Sequence, residues 1–174
     1  MNPSFSLSRS IARGIGAGLV ATTTMTAGMF VLQKSGLLGR MPPRLLTERT
    51  LARFGLRRKT SRTSRKLLTA LAHYGFGATA GAIFEVGKSA LASRHGRAPD
   101  GAIIGSGVGF GTLVWIASYM GWVPAARLMP RPSNDRPGRP TSMVLAHWIF
   151  GATLGAVSAV GTRFASPIAE VNHG

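Results

Sequence analysis

The chain has 174 residues, of which 45% are hydrophobic and only 15% are charged. The charged residues cluster, and four long stretches between the clusters contain almost no ionisable side chain. These stretches lack the polar stripe of a water-facing helix, which argues against a soluble four-helix bundle. We therefore predict an all-α membrane protein in which residues 1–174 form a single integral membrane domain.

Each of the four apolar stretches is long enough, or nearly so, to be a transmembrane helix, which needs ~20 mostly apolar residues. A run of 20 uncharged residues separates Arg13 from Lys34. Its length, and the lack of a strong small-residue cleavage site after it, favour a retained helix over a signal peptide. The predicted helices span about 14–33, 67–87, 101–123 and 141–162, and a basic connection at 34–66 joins the first two.

The distribution of basic residues predicts the orientation of these helices. The first and third connections hold 15 of the 21 Lys and Arg residues. Because basic residues near span ends stay on the cytoplasmic side, we predict that both connections are cytoplasmic and both termini outside. Arg9 and Arg13, which precede the first helix, argue weakly for the opposite orientation. The net charge of +16 would suggest nucleic-acid binding in a soluble protein, but here we ascribe it to topology and expect no nucleic-acid partner.

The basic connection interleaves leucines with arginines, a composition suited to an anionic lipid surface at the cytoplasmic face. Its predicted lipid-facing residues are Arg44, Arg49, Arg53, Arg57 and Arg58. Charge alone leaves alternatives open, namely a plain topological signal, recognition of a specific lipid or protein partner, and RNA binding.

The second and fourth helices are similar in sequence. The segment LAHYGFGATAGAIFEV at 71–86 and the segment LAHWIFGATLGAVSAV at 145–160 share ten residues in sixteen positions without a gap. A weaker similarity links Ile15-Gly16-x-Gly18 in the first helix with Ile104-Gly105-x-Gly107 in the third. We therefore predict two repeated helical hairpins, at about 11–91 and 100–163, related by an axis along the membrane normal.

Glycines spaced four residues apart occur in every predicted helix. Small residues let helix backbones approach closely in lipid, so these positions are predicted to pack helices together, within the chain or in a homo-oligomer. The predicted packing residues are Gly14, Gly18, Gly77, Gly81, Gly105, Gly109, Gly151 and Gly155.

Three ionisable residues within the spans are candidates for a polar or proton-binding site. His73 and His147 occupy equivalent positions in the repeat, so they could face a shared polar cavity or could simply bond neighbouring helices. Glu85 is an intramembrane acid, although a bond to Lys88, one turn away, is a sufficient alternative explanation. Tyr74 and Trp148 are expected at the inner interface. Tyr119 and Trp122 are expected at the outer one.

The sequence contains no cysteine, and it lacks a Walker loop, an HExxH motif, paired catalytic carboxylates and a serine elbow. We therefore predict no catalytic residues, no metal site, no cofactor and no enzymatic activity.

Five segments together resemble a known family: GAGLVATTTMT, MPPRLL, LAHYGFGATAGAIFE, VGFGTLVWIASYMGWVP and AHWIFGATLGAV. They are similar to the YagU-like family of small bacterial inner-membrane proteins of unknown function. The resemblance implies a multi-pass protein of the bacterial inner membrane and supplies no catalytic residues. We expect a membrane-embedded interaction or homeostasis protein with a membrane protein partner or a second copy of itself. A small carrier or proton-coupled channel using His73 and His147 is the alternative.

Overall fold

The computed structural model describes residues 3–163, and the side chains of residues 7–162. The described part of the chain is helical and contains no strand. Its helices are α1 (Pro3–Lys34), α2 (Pro42–Arg53), α3 (Arg62–His95), α4 (Asp100–Trp115), α5 (Val123–Ala125) and α6 (Arg139–Arg163), with a π-helical segment at Ile116–Trp122 between α4 and α5. A short 3₁₀ turn, Pro132–Asn134, lies in the connection before α6.

The local sequence explains where the helices begin and end. Two prolines open α2, where a missing backbone N–H costs nothing. The Ser61 hydroxyl accepts a hydrogen bond from the Ser64 amide and caps α3, and Gly96 ends α3 with a positive φ of 78°. Asp100 is the first residue of α4, directly after the N-cap Pro99. A carboxylate there interacts favourably with the positive end of the helix dipole.

The π-helical segment interrupts the third long helix. Pro124 follows it, and a proline ring clashes with the carbonyl four residues earlier, here that of Met120. Gly121 has non-helical angles, with φ of −96° and ψ of −106°. The helix therefore widens at 116–122 instead of running regularly to its end.

The long helices pack in the order α3, α1, α6, α4, because α1 contacts α3 and α6, and α6 contacts α4. α3 and α4 form the two edges and barely touch each other. α2 packs against α3 at the end of the bundle that holds the two connections 35–61 and 126–138. We call this end the α2 end. The opposite end holds the connection between α3 and α4.

Glycines allow α1 and α3 to approach with their backbones in contact. A Cβ at Gly18 would meet the Gly77 carbonyl, and a Cβ at Gly81 would lie 2.7 Å from the Gly18 Cα. A Cβ at Gly14 would meet Gly81 and Ala82. The four glycines predicted to pack in these two helices, Gly14, Gly18, Gly77 and Gly81, thus lie in the α1–α3 contact.

The contact between α4 and α6 uses different glycines from those predicted in α4. Gly151 and Gly155 lie in the contact as expected, but their neighbours are Gly107 and the start of α4 at 103–104. The prediction for Gly105 and Gly109 is wrong within this chain, because a Cβ at either position would have nothing within 4 Å. The glycines of α4 alternate along the sequence, so those two occupy the exposed side of the helix.

Much of the outer surface of the bundle is apolar. Val31, Ile83 and Leu113 are 68%, 60% and 64% exposed. Four helical segments are long and apolar enough to cross a membrane: Leu7–Lys34, Arg62–His95, Asp100–Ala125 and Arg139–Thr162. An outer surface of this kind is favourable in hydrocarbon and unfavourable in water.

A buried polar network joins the two connections at the α2 end. The Tyr119 hydroxyl donates to the Asp135 carboxylate at 2.7 Å, and Arg139 forms an ion pair with that carboxylate, also at 2.7 Å. Arg139 donates in addition to the Leu38 carbonyl. Tyr119 is only 2% exposed and lies at the same end as connections one and three. The sequence pattern placed Tyr119 and Trp122 at the membrane interface opposite these connections. That prediction is wrong, because the third long helix runs towards the α2 end.

Candidate functional site

The first component of the candidate site is a cavity of about 390 Å³, which we call the apolar cavity. It lies against α1 and α6, between α3 and the π-helical segment, and α2 covers it at the α2 end. Its wall is mainly apolar and includes Met25, Met29, Leu46, Leu68, Phe76, Trp122, Met143 and Phe150. The cavity is not fully enclosed, because Leu68, Phe76 and Trp122 are 41%, 48% and 47% exposed.

The two repeat histidines both line the apolar cavity. His73 Nε2 lies 3.2 Å from the Thr26 hydroxyl of α1. His147 is 6% exposed and its Nδ1 donates to the Met143 carbonyl of its own helix at 2.7 Å. The structure thus brings the two side chains to one cavity, as the repeat suggested, but the wall between them is apolar rather than polar.

The threonines of α1 form hydrogen bonds within the helix and to the neighbouring helices around this cavity. Thr22 and Thr26 donate to carbonyls four residues earlier at 2.7 Å, which satisfies both hydroxyls within the helix. Thr26 also reaches His73, whereas Thr24 bonds Thr153 of α6 at 2.9 Å. The α1 wall of the apolar cavity therefore presents the bonded Thr22 hydroxyl beside Met25 and Met29, and Thr26 belongs to the wall of a second cavity described below.

A second cavity, of about 770 Å³, adjoins the first at the α2 end, and we call it the basic cavity. Its wall contains five basic side chains and one acid: Arg40, Arg44, Arg62, Arg65, Lys66 and Glu48. Met29, Pro43, Thr69 and His73 line both cavities. The apolar cavity and the basic cavity are therefore neighbours, and His73 belongs to the wall of both.

The arginines of α2 are held by the protein itself. Arg44 and Arg40 both bind the Glu48 carboxylate, at 2.8 and 3.0 Å, and the Arg44 hydrogen bond lowers the pKa of Glu48 below its usual value. Arg49 and Arg53 donate at 2.6 Å to the carbonyls of residues 128 and 126 in the other connection. These contacts fix α2 across the apolar cavity.

The structure therefore divides the predicted lipid-facing arginines into three groups. Arg44 lines the basic cavity, and Arg49 and Arg53 join the two connections. Arg57 and Arg58 have exposed side chains outside both cavities. A helix at 42–53 inside the basic connection was not predicted from the sequence, because its leucines do not form one clean face.

Glu85 lies apart from the histidines and lines neither cavity. It is 2% exposed, and its carboxylate pairs with Lys88 at 2.7 Å. Lys88 also donates to the Ser158 carbonyl of α6 at 3.2 Å. Glu85 thus forms the local ion pair that its spacing from Lys88 suggested, and the pair joins α3 to α6.

No group of three or more His, Asp or Glu side chains close enough to hold a metal ion occurs in the part of the chain that the structure describes. The sequence pattern predicted neither the helix α2 nor the π-helical segment, which both supply part of the wall of the apolar cavity. Pro42-Pro43 and Pro124 were the available signals, since proline starts one helix and distorts the other.

Comparison with protein families places this arrangement in a known group. A match to the family of unknown function DUF6789 spans residues 8–166. The chain belongs to this family. The DUF6789 match covers the four long helical segments, except for Leu7 at the start of the first, and both connections of the α2 end. It does not name the YagU-like family that the motifs resemble. No curated protein and no solved structure gave a match.

Proposed function

We propose that this DUF6789 protein is a multi-pass membrane protein that binds an apolar or amphipathic ligand in the apolar cavity and acts through that binding as an interaction or homeostasis protein. The observation that carries the proposal is the cavity itself. Its volume of about 390 Å³ falls in the ~300–1,000 Å³ range of small-molecule sites, and its mainly apolar wall with a few polar groups is typical of them. No catalytic role is part of the proposal.

The proposed location is the bacterial inner membrane, with the α2 end in the cytoplasm and both termini outside. The exposed apolar side chains of the four long helices support insertion in a bilayer. The concentration of basic residues in the two connections of the α2 end supports the orientation. The exposed Leu68, Phe76 and Trp122 would then open the apolar cavity towards lipid.

The proposed architecture is a pair of repeated hairpins, 11–91 and 100–163. Equivalent contacts in the two halves support it. Thr23 bonds the Tyr74 hydroxyl at 3.3 Å, and Thr112 accepts a bond from the Trp148 indole at 3.1 Å. These two pairs occupy matching positions of the repeat. The backbone contact of Gly18 with 77 and that of Gly107 with 151 also match.

Binding is favoured over conduction because the opposite half of the bundle is tightly packed. There the helix backbones touch at Gly14 and Gly81 and at Gly155 and Ile103, and the buried Leu154 is 0% exposed. Neither cavity includes these residues. A ligand in the apolar cavity can therefore reach the α2 end and the side of the bundle, and neither cavity extends into the opposite half.

The test of the proposal is native mass spectrometry of the full chain released from a mild detergent. We expect a co-purified lipid-like species of defined mass on the wild-type protein. Ala72 lines the apolar cavity, so Ala72→Phe should fill part of it and lose that species. Ala90 lies on the same helix, exposed and outside both cavities, so Ala90→Phe should retain it. Equal occupancy in the two variants would refute the proposal.

A small carrier or proton-coupled channel is the second candidate function, and one observation favours it. His73 and His147 line the same cavity, and imidazole is a side chain suited to carrying protons. This candidate predicts pH-dependent flux in proteoliposomes that disappears in His73→Gln and in His147→Gln. Wild-type protein that gives no flux while it retains a bound lipid would reject the carrier and support the binding protein.

A further inference from the structure

We propose that the ligand is a phosphate-bearing amphiphile whose chain lies in the apolar cavity and whose phosphate lies in the basic cavity. This inference rests on the proposed function and names the chemical class of its ligand. The observation that carries it is that the two cavities are neighbours, with four wall residues in common: Met29, Pro43, Thr69 and His73. One molecule with an apolar and an anionic part would fill both.

The charges of the basic cavity select an anion. Its single acid, Glu48, is already bound by Arg40 and Arg44. Arg62 and Lys66 form no ion pair within the described residues, and Arg65 bonds only to carbonyl oxygens. Guanidinium and ammonium groups without carboxylate partners are the donors that bind phosphate oxygens with charge-assisted hydrogen bonds.

The positions along α3 match the depth profile of an amphiphile. Arg62 and Lys66 stand in the first turns of α3, whereas His73 follows about 11 residues after Arg62 and Phe76 lies further in. At 1.5 Å per residue, Arg62 and His73 are separated by about 16 Å along the helix. The cationic groups thus stand at the end of the span. On α3 the apolar cavity extends from Leu68 to Gly77, deeper than these cations.

The wall of the basic cavity distinguishes an amphiphile from free phosphate. Met29, Phe30 and Met41 line it beside the cations. A hydrated inorganic anion gains nothing from these side chains, whereas the first carbons of an attached chain would bury apolar surface against them. The shared chemistry of both ligands is the phosphate, and the chain decides between them.

The experiment is a binding titration of the purified full chain in non-ionic detergent with three probes. Lysophosphatidic acid carries phosphate and chain, a monoacylglycerol of the same chain lacks the phosphate, and glycerol 3-phosphate lacks the chain. We expect lysophosphatidic acid to bind at least about tenfold more tightly than either of the others, since charge-assisted bonds and apolar burial both contribute.

Two matched double variants test the site. R62Q/K66Q removes one arginine and one lysine from the basic cavity and should reduce lysophosphatidic acid affinity about tenfold while leaving monoacylglycerol binding unchanged. R58Q/K59Q removes the same charges from the connection just before α3, at positions that line neither cavity, and should leave both affinities unchanged. Unchanged monoacylglycerol binding also shows that a variant is folded.

The outcomes separate this inference from the proposed function. Equal affinity for lysophosphatidic acid and monoacylglycerol, with both lost in Ala72→Phe, would overturn the inference and leave the proposed function intact. Glycerol 3-phosphate binding as tightly as lysophosphatidic acid would indicate a free-phosphate site and overturn the inference. An equal loss of affinity in R58Q/K59Q would indicate diffuse charge attraction and overturn it too. Failure of all three probes to bind would overturn both proposals.

Discussion

Replacing Gly81 with alanine is expected to force α1 and α3 apart. The added Cβ would lie 2.7 Å from the Gly18 Cα and 2.8 Å from the Gly18 nitrogen, and it would also meet the Gly14 carbonyl. Since non-bonded carbons rest at about 3.5–4.0 Å, the helices must separate by roughly 1 Å. All three contacts are with backbone, which cannot rotate away. Overpacking of this kind costs about 1–3 kcal/mol.

The same substitution at Gly75 is the matched control, because a Cβ there would meet nothing within 4 Å. Alanine is favoured over glycine in a helix by about 0.5–1 kcal/mol, so Gly75→Ala should be neutral or slightly stabilising. The assay is unfolding in detergent followed by circular dichroism. A stability of Gly81→Ala equal to or above that of Gly75→Ala would refute the close backbone contact between α1 and α3.

The other predictions use the same matched design. Gly155→Ala should destabilise the α4–α6 contact, because the added Cβ would lie 2.7 Å from the Cα of residue 104. Gly161→Ala is the control and should leave stability unchanged, because a Cβ there would meet nothing within 4 Å. Equal unfolding midpoints of the two variants would contradict this. Asp135→Asn should cost about 3 kcal/mol or more, since its ion pair with Arg139 is 11% and 2% exposed. Asp100→Asn should lower stability by less than about 1 kcal/mol, since the side chains of its ion pair with Arg97 are 25% and 44% exposed. Similar losses of stability in the two aspartate variants, measured by the same unfolding assay, would count against the buried network.

The apolar runs were sufficient to locate four long helices but not their ends. α3 spans Arg62–His95 rather than about 67–87, because its charged first and last turns extend beyond the apolar part. A hydropathy argument does not detect such turns. Tyr119, near the end of the third long helix, was assigned to the wrong side of the bundle. Because successive spans run in opposite directions, the third span must end on the same side as the first and third connections.

The candidate site was predictable only in part. The repeat indicated that His73 and His147 belong together, and the structure places both at one cavity. The glycine run of α4 offers two possible faces with the same spacing, so Gly107 could not be preferred over Gly105 without knowing its partner helix. The position of α2 could not be predicted from local sequence, because it depends on contacts between distant residues. Arg49, for example, donates to a carbonyl 79 residues later in the chain.

The central claim is that an amphiphile occupies the apolar cavity in the membrane. It is tested most directly by photolabelling isolated membranes with a phosphate-bearing amphiphile that carries a diazirine near the end of its chain, followed by mass spectrometry of the labelled peptides. We predict that labels concentrate on buried cavity residues such as Met25, Met143 and Phe150. Labels confined to outward side chains such as Val31 and Leu113 would mean that the amphiphile only surrounds the bundle, and would contradict the account.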